Sequence, residues 1–241
     1  MNDLFLESRL LSDAGAVNAV SMRVEGKPAG FSMRRNGTAG LPEEINRREF
    51  LGAVGFDESS VARAEQVHGT NIARVSSPGV SPETDALVTD RGGLLLAISV
   101  ADCVPILIFD RRKRIASAVH AGWRGTAGNI TSKLVQYFYS EFGSAPDDIV
   151  AFVGPSAGAC CYEVGEEVAG RFPEKFRRKG ASRGKYFLDL KSANSDQLTD
   201  MGLARMNIEV SKHCTICNLN YHSFRRDGES SGRMMAAIAI G

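Results

Sequence analysis

"LLLAISVADCVPILIFDRRKRIASAVHAG", residues 94–122, places two long apolar runs on either side of a charged stretch. Runs that are apolar at nearly every position, rather than at alternate ones, belong to strands covered on both faces. Arg111, Arg112, Lys113 and Arg114 then form a solvated turn between them. A hairpin centred between Arg111 and Arg112 sets Cys103 directly opposite His120. Opposed residues of an antiparallel pair have Cβ atoms about 4.5–5.5 Å apart, a gap that one zinc ion with bonds of about 2.3 Å to sulfur and 2.0 Å to nitrogen can span. The inference is conditional on the register, because a loop longer by one residue breaks this pairing.

A third ligand comes from "EQVHGTN" (65–71), where His68 precedes Gly69 at another boundary between strand and turn. Two histidines and one cysteine leave a fourth position open, the arrangement of a catalytic zinc that holds water. The same residues admit a second reading, with Cys103 as a nucleophile and His120 as its base. Taken singly, a cysteine in an apolar strand is more often a small buried hydrophobe. Asp102 is a candidate orienter of the site, although neighbouring strand residues point to opposite faces. Trp123 and Arg124, just beyond His120, read as pocket wall or packing.

Elsewhere the pattern mixes helices and strands. Pro42, an acidic first turn at Glu43 and Glu44, and Gly55 as a stop frame a helix over 41–55. Ile130, Leu134, Tyr137 and Phe138 mark another over 130–142, with Asn129 as its cap. Further helices are expected over about 163–176 and 191–205. Strands are expected within 29–35, on both sides of Gly69 in 62–75, and within 85–90, 149–155, 185–190, 206–211 and 233–240. The fold class read from this pattern is α+β, and residues 1–241 form one domain.

Composition narrows the classes of function. A formal charge of +1 provides no basic footprint for nucleic acid. The start of the chain lacks a secretory signal, and no apolar window reaches membrane-spanning length, so a cytoplasmic protein is the default reading. There the five cysteines are reduced thiols. Cys214 and Cys217 form a CxxC between His213 and His222, which suits a small zinc site or a redox dithiol, but with no second matching pair a structural or incidental role is the expectation. Cys160 and Cys161 are expected to pack, or one of them to line a pocket. Arg225 and Arg226 in "SFRRDG" offer planar donor forks suited to phosphate or carboxylate. The strand end "VGPSAG" (153–158) can present backbone N–H groups to an anion or serve as a tight structural turn.

Taken in order, "QVHGTNIARV", "TDALVT", "SVADCVPILIFD", "AVHAGWRGTAGNI", "VGPSAGACCYEVGEEV", "CTIC" and "SFRRDGESSGR" resemble the signature blocks of the YfiH-like, or laccase-domain, proteins across most of residues 64–233. The resemblance implies mixed sheets in a layered sandwich flanked by helices, in which His68, Cys103 and His120 hold a metal and take part in catalysis. It also implies an early arginine motif at Arg34 or Arg35, followed here by a shorter segment than usual. The activity it implies is a zinc-dependent purine nucleoside phosphorylase acting on adenosine, inosine, guanosine or methylthioadenosine with phosphate, and also deaminating adenosine. Arg34 with Arg225 or Arg226 would then hold phosphate and ribose. The family is also described as copper polyphenol oxidases, and one branch is linked to peptidoglycan editing, which would suit a cysteine-dependent hydrolase. Four histidines cannot readily supply the several coppers of a laccase, which favours a single zinc. The expected partners are purine nucleosides and phosphate, with no nucleic acid or membrane, in a monomer or small homo-oligomer.

Overall fold

The computed structural model describes residues 4–34 and 42–241. Two six-stranded sheets lie face to face. One has the order β1 (Phe5–Leu6), β2 (Ala16–Ser21), β15 (Met234–Ile240), β7 (Leu95–Val100), β3 (Val61–Ala64), β5 (Gly79–Ser81). The other runs β14 (Ile208–Val210), β10 (Ile149–Val153), β8 (Val104–Asp110), β9 (Ile115–Ala121), β6 (Ala86–Thr89), β4 (Ile72–Arg74). A small third sheet joins β11 (Glu163–Gly165), β13 (Lys185–Leu188) and β12 (Arg177–Lys179). The helices are α1 (Arg9–Asp13), α2 (Pro42–Ala53), α3 (Trp123–Ala127), α4 (Ile130–Phe142), α5 (Glu166–Ala169), α6 (Leu190–Asp200) and α7 (Phe224–Asp227).

The period-two alternation of a strand assigns each residue to a layer. In β8, Leu107 and Phe109 point between the sheets, while Ile106 and Ile108 pack beneath α4 and α6 with Leu134, Phe138 and Leu198. In β15, Met234, Ala236 and Ile238 share the layer between the sheets, and Met235, Ala237 and Ala239 meet Phe50 and Leu51 of α2 on the outer side. The layers are therefore helix, sheet, sheet, helices. This is why β7, β8, β9 and β15 are apolar at nearly every position.

Several expected elements differ from those observed. The run 94–110 is not one strand: β7 and β8 lie in different sheets, and residues 101–103 cross between them with Asp102 at φ 85°. The crossing is held by the Asp102 carboxylate, which accepts from the Thr215 hydroxyl (2.6 Å) and the Arg225 backbone N–H (2.7 Å). Likewise the strands on either side of Gly69 belong to different sheets. Residues 29–34, the described part of the expected strand, do not form one. Ala29, Gly30 and Phe31 take positive φ in a short 3-10 turn from Pro28 to Phe31.

The expected helix over 163–176 is instead β11, the short α5 and a 3-10 turn, because Gly165, Gly170 and Pro173 interrupt it. Asn129 stands at the N-terminal boundary of α4 at φ 60°, yet its side chain makes no capping bond. The segment after the early arginine motif, with Arg35, lies outside the described residues.

The hairpin register is also displaced. Asp110 pairs with Ile115, and Pro105, not Cys103, faces His120. The loop spans four residues because the Asp110 carboxylate accepts from the Arg112 and Lys113 N–H groups (2.9 and 2.7 Å) and Arg114 adopts φ 57°. A shift of two residues preserves the face of every side chain. Cys103, one residue before the ladder begins, is therefore still diagonal to His120 on the same side.

Candidate metal centre and cavity

Strands β3 and β7 are parallel neighbours, with Val61 opposite Leu95, and both leave their sheet at the same end to cross to the other. His68 lies in the first crossing and Cys103 in the second. The C-terminal end of β9 brings in His120. The donor atoms of these three residues all lie within 4.8 Å of one another, a group that could hold a metal ion. The His68 and His120 rings meet edge to face, with centroids 4.8 Å apart. Gly122, in the position opposite Cys103, leaves the necessary room: a Cβ there would come within 3.1 Å of the Cys103 sulfur and 3.2 Å of the His68 ring.

Asp85, fully buried just before β6, organises the group. Its carboxylate accepts from three successive backbone N–H groups, those of Val67 (3.3 Å), His68 (3.0 Å) and Gly69 (2.7 Å). This cradle holds His68 at φ 60°, a conformation costly for a residue with a Cβ unless its surroundings enforce it. The same carboxylate lies 2.8 Å from His120 Nδ1, which directs Nε2 into the site. The sequence reading passed over Asp85. Its available signal was an aspartate opening an otherwise apolar strand in "TDALVT". Asp102, the orienter considered there, bonds to Thr215 and Arg225 instead.

Burial opposes charge on His120, but the Asp85 hydrogen bond and contact with Cys103 outweigh it and raise the imidazole to about 9. Burial also opposes charge on Cys103, and the two histidines overcome it, lowering the thiol to about 6. A thiolate donor is thus available at neutral pH.

These residues line one wall of a cavity of about 540 Å³, a size suited to a small organic ligand. The other walls present three guanidinium groups, Arg124, Arg225 and Arg233, and three aromatic rings, Trp123, Tyr162 and Phe224. Arg124 stacks over Trp123 at 4.3 Å and Arg225 over Tyr162 at 5.2 Å. Burial and the Cys103 charge push the Tyr162 phenol up to about 12, so it remains a neutral donor. Arg225 also donates to the Glu163 carbonyl (2.6 Å).

Arg226 is placed differently from its neighbour. Its guanidinium donates to the carbonyls of Thr215 (2.9 Å), Ile216 (3.2 Å) and Tyr221 (2.9 Å) and pairs with Asp227. Arg34 donates to the Glu229 carbonyl and lines an adjoining cavity that shares Gln66, Ser99 and Arg233 with the first. Arg233 and Tyr162 carry no local signal in the sequence that sets them apart from other arginines and tyrosines; only the fold brings them to the cavity wall. His213 stacks on Tyr221, and His222 packs against Gly30 and Gly232, so neither joins the His68 group. Cys160 and Cys161, expected to pack, meet Cys214 and Cys217 in a second group of possible ligands. No helix among the described residues is long and apolar enough to cross a membrane.

Residues 42–241 match the family described as multi-copper polyphenol oxidoreductase laccase. A purine nucleoside phosphorylase of Deinococcus radiodurans is 36% identical over 233 residues, covering 94% of this chain and 86% of that protein. Adenosine deaminase RL5, from an unknown prokaryotic organism, is 37% identical over 202 residues, covering 77% of each. The crystal structure of YlmD from Geobacillus stearothermophilus superposes with a TM-score of 0.89 at 33% identity, covering 99% of both chains. With its sandwich and its His68, Cys103 and His120 group, this chain belongs to the laccase-domain (YfiH) family.

Proposed function

We propose that this protein is a zinc-dependent purine nucleoside phosphorylase that also deaminates adenosine. The observation that carries this reading is the shared cavity: two histidines and a thiolate-prone cysteine converge on one wall, and three guanidinium groups face them. The relatives named above are called a phosphorylase and an adenosine deaminase, which supports the same reading.

The donor set suits zinc, which takes imidazole and thiolate and leaves a position open in catalytic sites. Zinc supplies Lewis acidity and a water acidified to near neutral pH. The chain's own residues bind and orient. Arg225 and Arg233, with Arg124, seat a phosphate through charged, forked hydrogen bonds. Trp123, Tyr162 and Phe224 provide aromatic surface for a purine base. Asp85 holds His120 in one orientation, and the fixed positive field stabilises charge as it moves between ribose and base. Arg34 lines the adjoining cavity that shares Arg233 with this one, whereas Arg226 supports the Thr215–Tyr221 segment.

Copper oxidase chemistry is less well supported, because the two remaining histidines are placed apart from this group. The test is a product assay on adenosine with phosphate, measuring inosine, adenine and ribose 1-phosphate separately. Cys103→Ala is expected to abolish turnover and metal binding at the His68, Cys103 and His120 group. Arg225→Gln is expected to raise the KM for phosphate about 10- to 100-fold, the loss of one charged hydrogen bond. Stoichiometric copper with phenol-dependent oxygen uptake, or covalent trapping of Cys103 in metal-free active enzyme, would overturn the proposal.

A further inference from the structure

Cys160 and Cys161 follow β10, and Cys214 and Cys217 lie in the loop after β14, more than fifty residues away. The two loops are joined by an isolated parallel bridge between Ser156 and Cys214 and by the Thr215 N–H donating to the Ser156 carbonyl (3.0 Å). All four thiols are free, and their sulfur atoms lie within 4.8 Å of one another. The Cys160 and Cys217 sulfurs are 3.9 Å apart. A tetrahedron of sulfurs around zinc at about 2.3 Å has edges of about 3.8 Å, so the Cys160–Cys217 pair is already at ligand spacing, and the group as a whole is close enough to contract onto one ion.

A second observation comes from the backbone that surrounds the sulfurs. Gly158 donates its N–H to Cys214 Sγ (3.2 Å), a contact that favours thiolate over thiol. A Cβ at Gly158 would come within 3.0 Å of Cys214 Cβ and 3.3 Å of Cys160 Sγ. The loop thus approaches as closely as a glycine allows. Among the described residues the group contains no histidine or carboxylate, and four soft donors with no open position are the composition of a structural zinc site.

We propose that Cys160, Cys161, Cys214 and Cys217 bind a second zinc ion as a closed tetrathiolate site. This site is separate from the His68 group and does not depend on the nucleoside reading. It clamps the loop that carries Thr215 and Ile216. The Thr215 hydroxyl bonds to Asp102 and the Thr215 and Ile216 carbonyls accept from Arg226, while Asp102 holds the Arg225 N–H. The clamp therefore fixes the neighbours of Cys103 and Arg225 without touching the cavity's ligand.

Metal analysis of the full chain purified without added metal is expected to find two zinc equivalents. A Cys160→Ser/Cys217→Ser variant is expected to lose one and keep the other, and His68→Ala/Cys103→Ala to do the reverse. Cobalt substituted into the latter variant is expected to show the charge-transfer bands of tetrahedral thiolate ligation. In case the serine variant fails to fold, the unmodified protein supplies a second measurement: the four thiols should resist alkylation until a chelator is added. Free alkylation without chelator, a disulfide among these cysteines in the folded protein as purified, or iron with acid-labile sulfide in place of the second zinc would overturn the proposal.

Discussion

The Asp85 carboxylate is shared between the backbone that shapes His68 and the ring of His120, so two candidate ligands depend on one side chain. Asp85→Asn keeps the shape and removes the charge. It is expected to weaken metal binding about 10- to 100-fold, the usual effect of losing a ligand's hydrogen-bond partner, as measured by competition with a chromogenic chelator. Proton release provides another check. In the metal-free protein His120 stands at about 9 and Cys103 at about 6, against ordinary values of 6.5 and 9.0. His120 contributes stability that is present below pH 6.5 and lost as pH rises through about 9, whereas Cys103 contributes stability that is present above pH 9.0 and lost as pH falls through about 6. The slopes oppose each other, so metal-free stability should be flat across that window. Metal binding should not be flat, because His120 must lose its proton to ligate. Affinity is expected to rise roughly tenfold per pH unit over about pH 7 to 8.5, with about one proton released, measured by calorimetry in buffers of different ionisation enthalpy. Cys103, His120 and His68 were legible as residues because few types ligate metals. Asp85 was not, because an aspartate at a strand edge looks like any other until its partners are known.

Between β9 and α4, the short α3 carries Trp123 and Arg124 into the cavity. It is too short to be stable alone, and α6 fixes it from behind. The Asn194 amide donates to the Thr126 hydroxyl (3.0 Å) and to the Leu190 carbonyl (2.8 Å), its oxygen accepts from the Thr131 hydroxyl (2.8 Å), and the Gln197 amide donates to the Thr126 carbonyl (2.9 Å). Asn194→Ala leaves two buried hydroxyls short of a partner and is expected to cost about 1–3 kcal/mol, read from urea denaturation. Long periodic elements such as α2 and α4 could be located from sequence because an apolar stripe or a first-turn proline announces them. The division of 94–110 into β7 and β8 could not, since both halves are equally apolar and the crossing contains neither glycine nor proline. It depends on Asp102 bonding to Thr215 and Arg225, more than a hundred residues away.

At the scale of the molecule, β15 lies between β2 and β7, so the end of the chain supplies an interior strand. Removing residues 234–241 strips ladder partners from both neighbours and takes Met234, Ala236 and Ile238 from between the sheets. Against a net stability of about 5–15 kcal/mol, that loss is expected to leave no folded protein, seen as absent cooperative melting by circular dichroism. The sequence by itself determined the α+β class, the doubly covered strands and three candidate ligand residues, because apolar periodicity and side-chain chemistry are local properties. The tertiary structure alone decided which sheet each strand joined, the true hairpin register, the separation of Arg225 from Arg226 in role, and the gathering of four cysteines from two distant loops. Those outcomes turn on which buried polar groups find partners across the fold, and such pairings are not written in any single stretch of the chain.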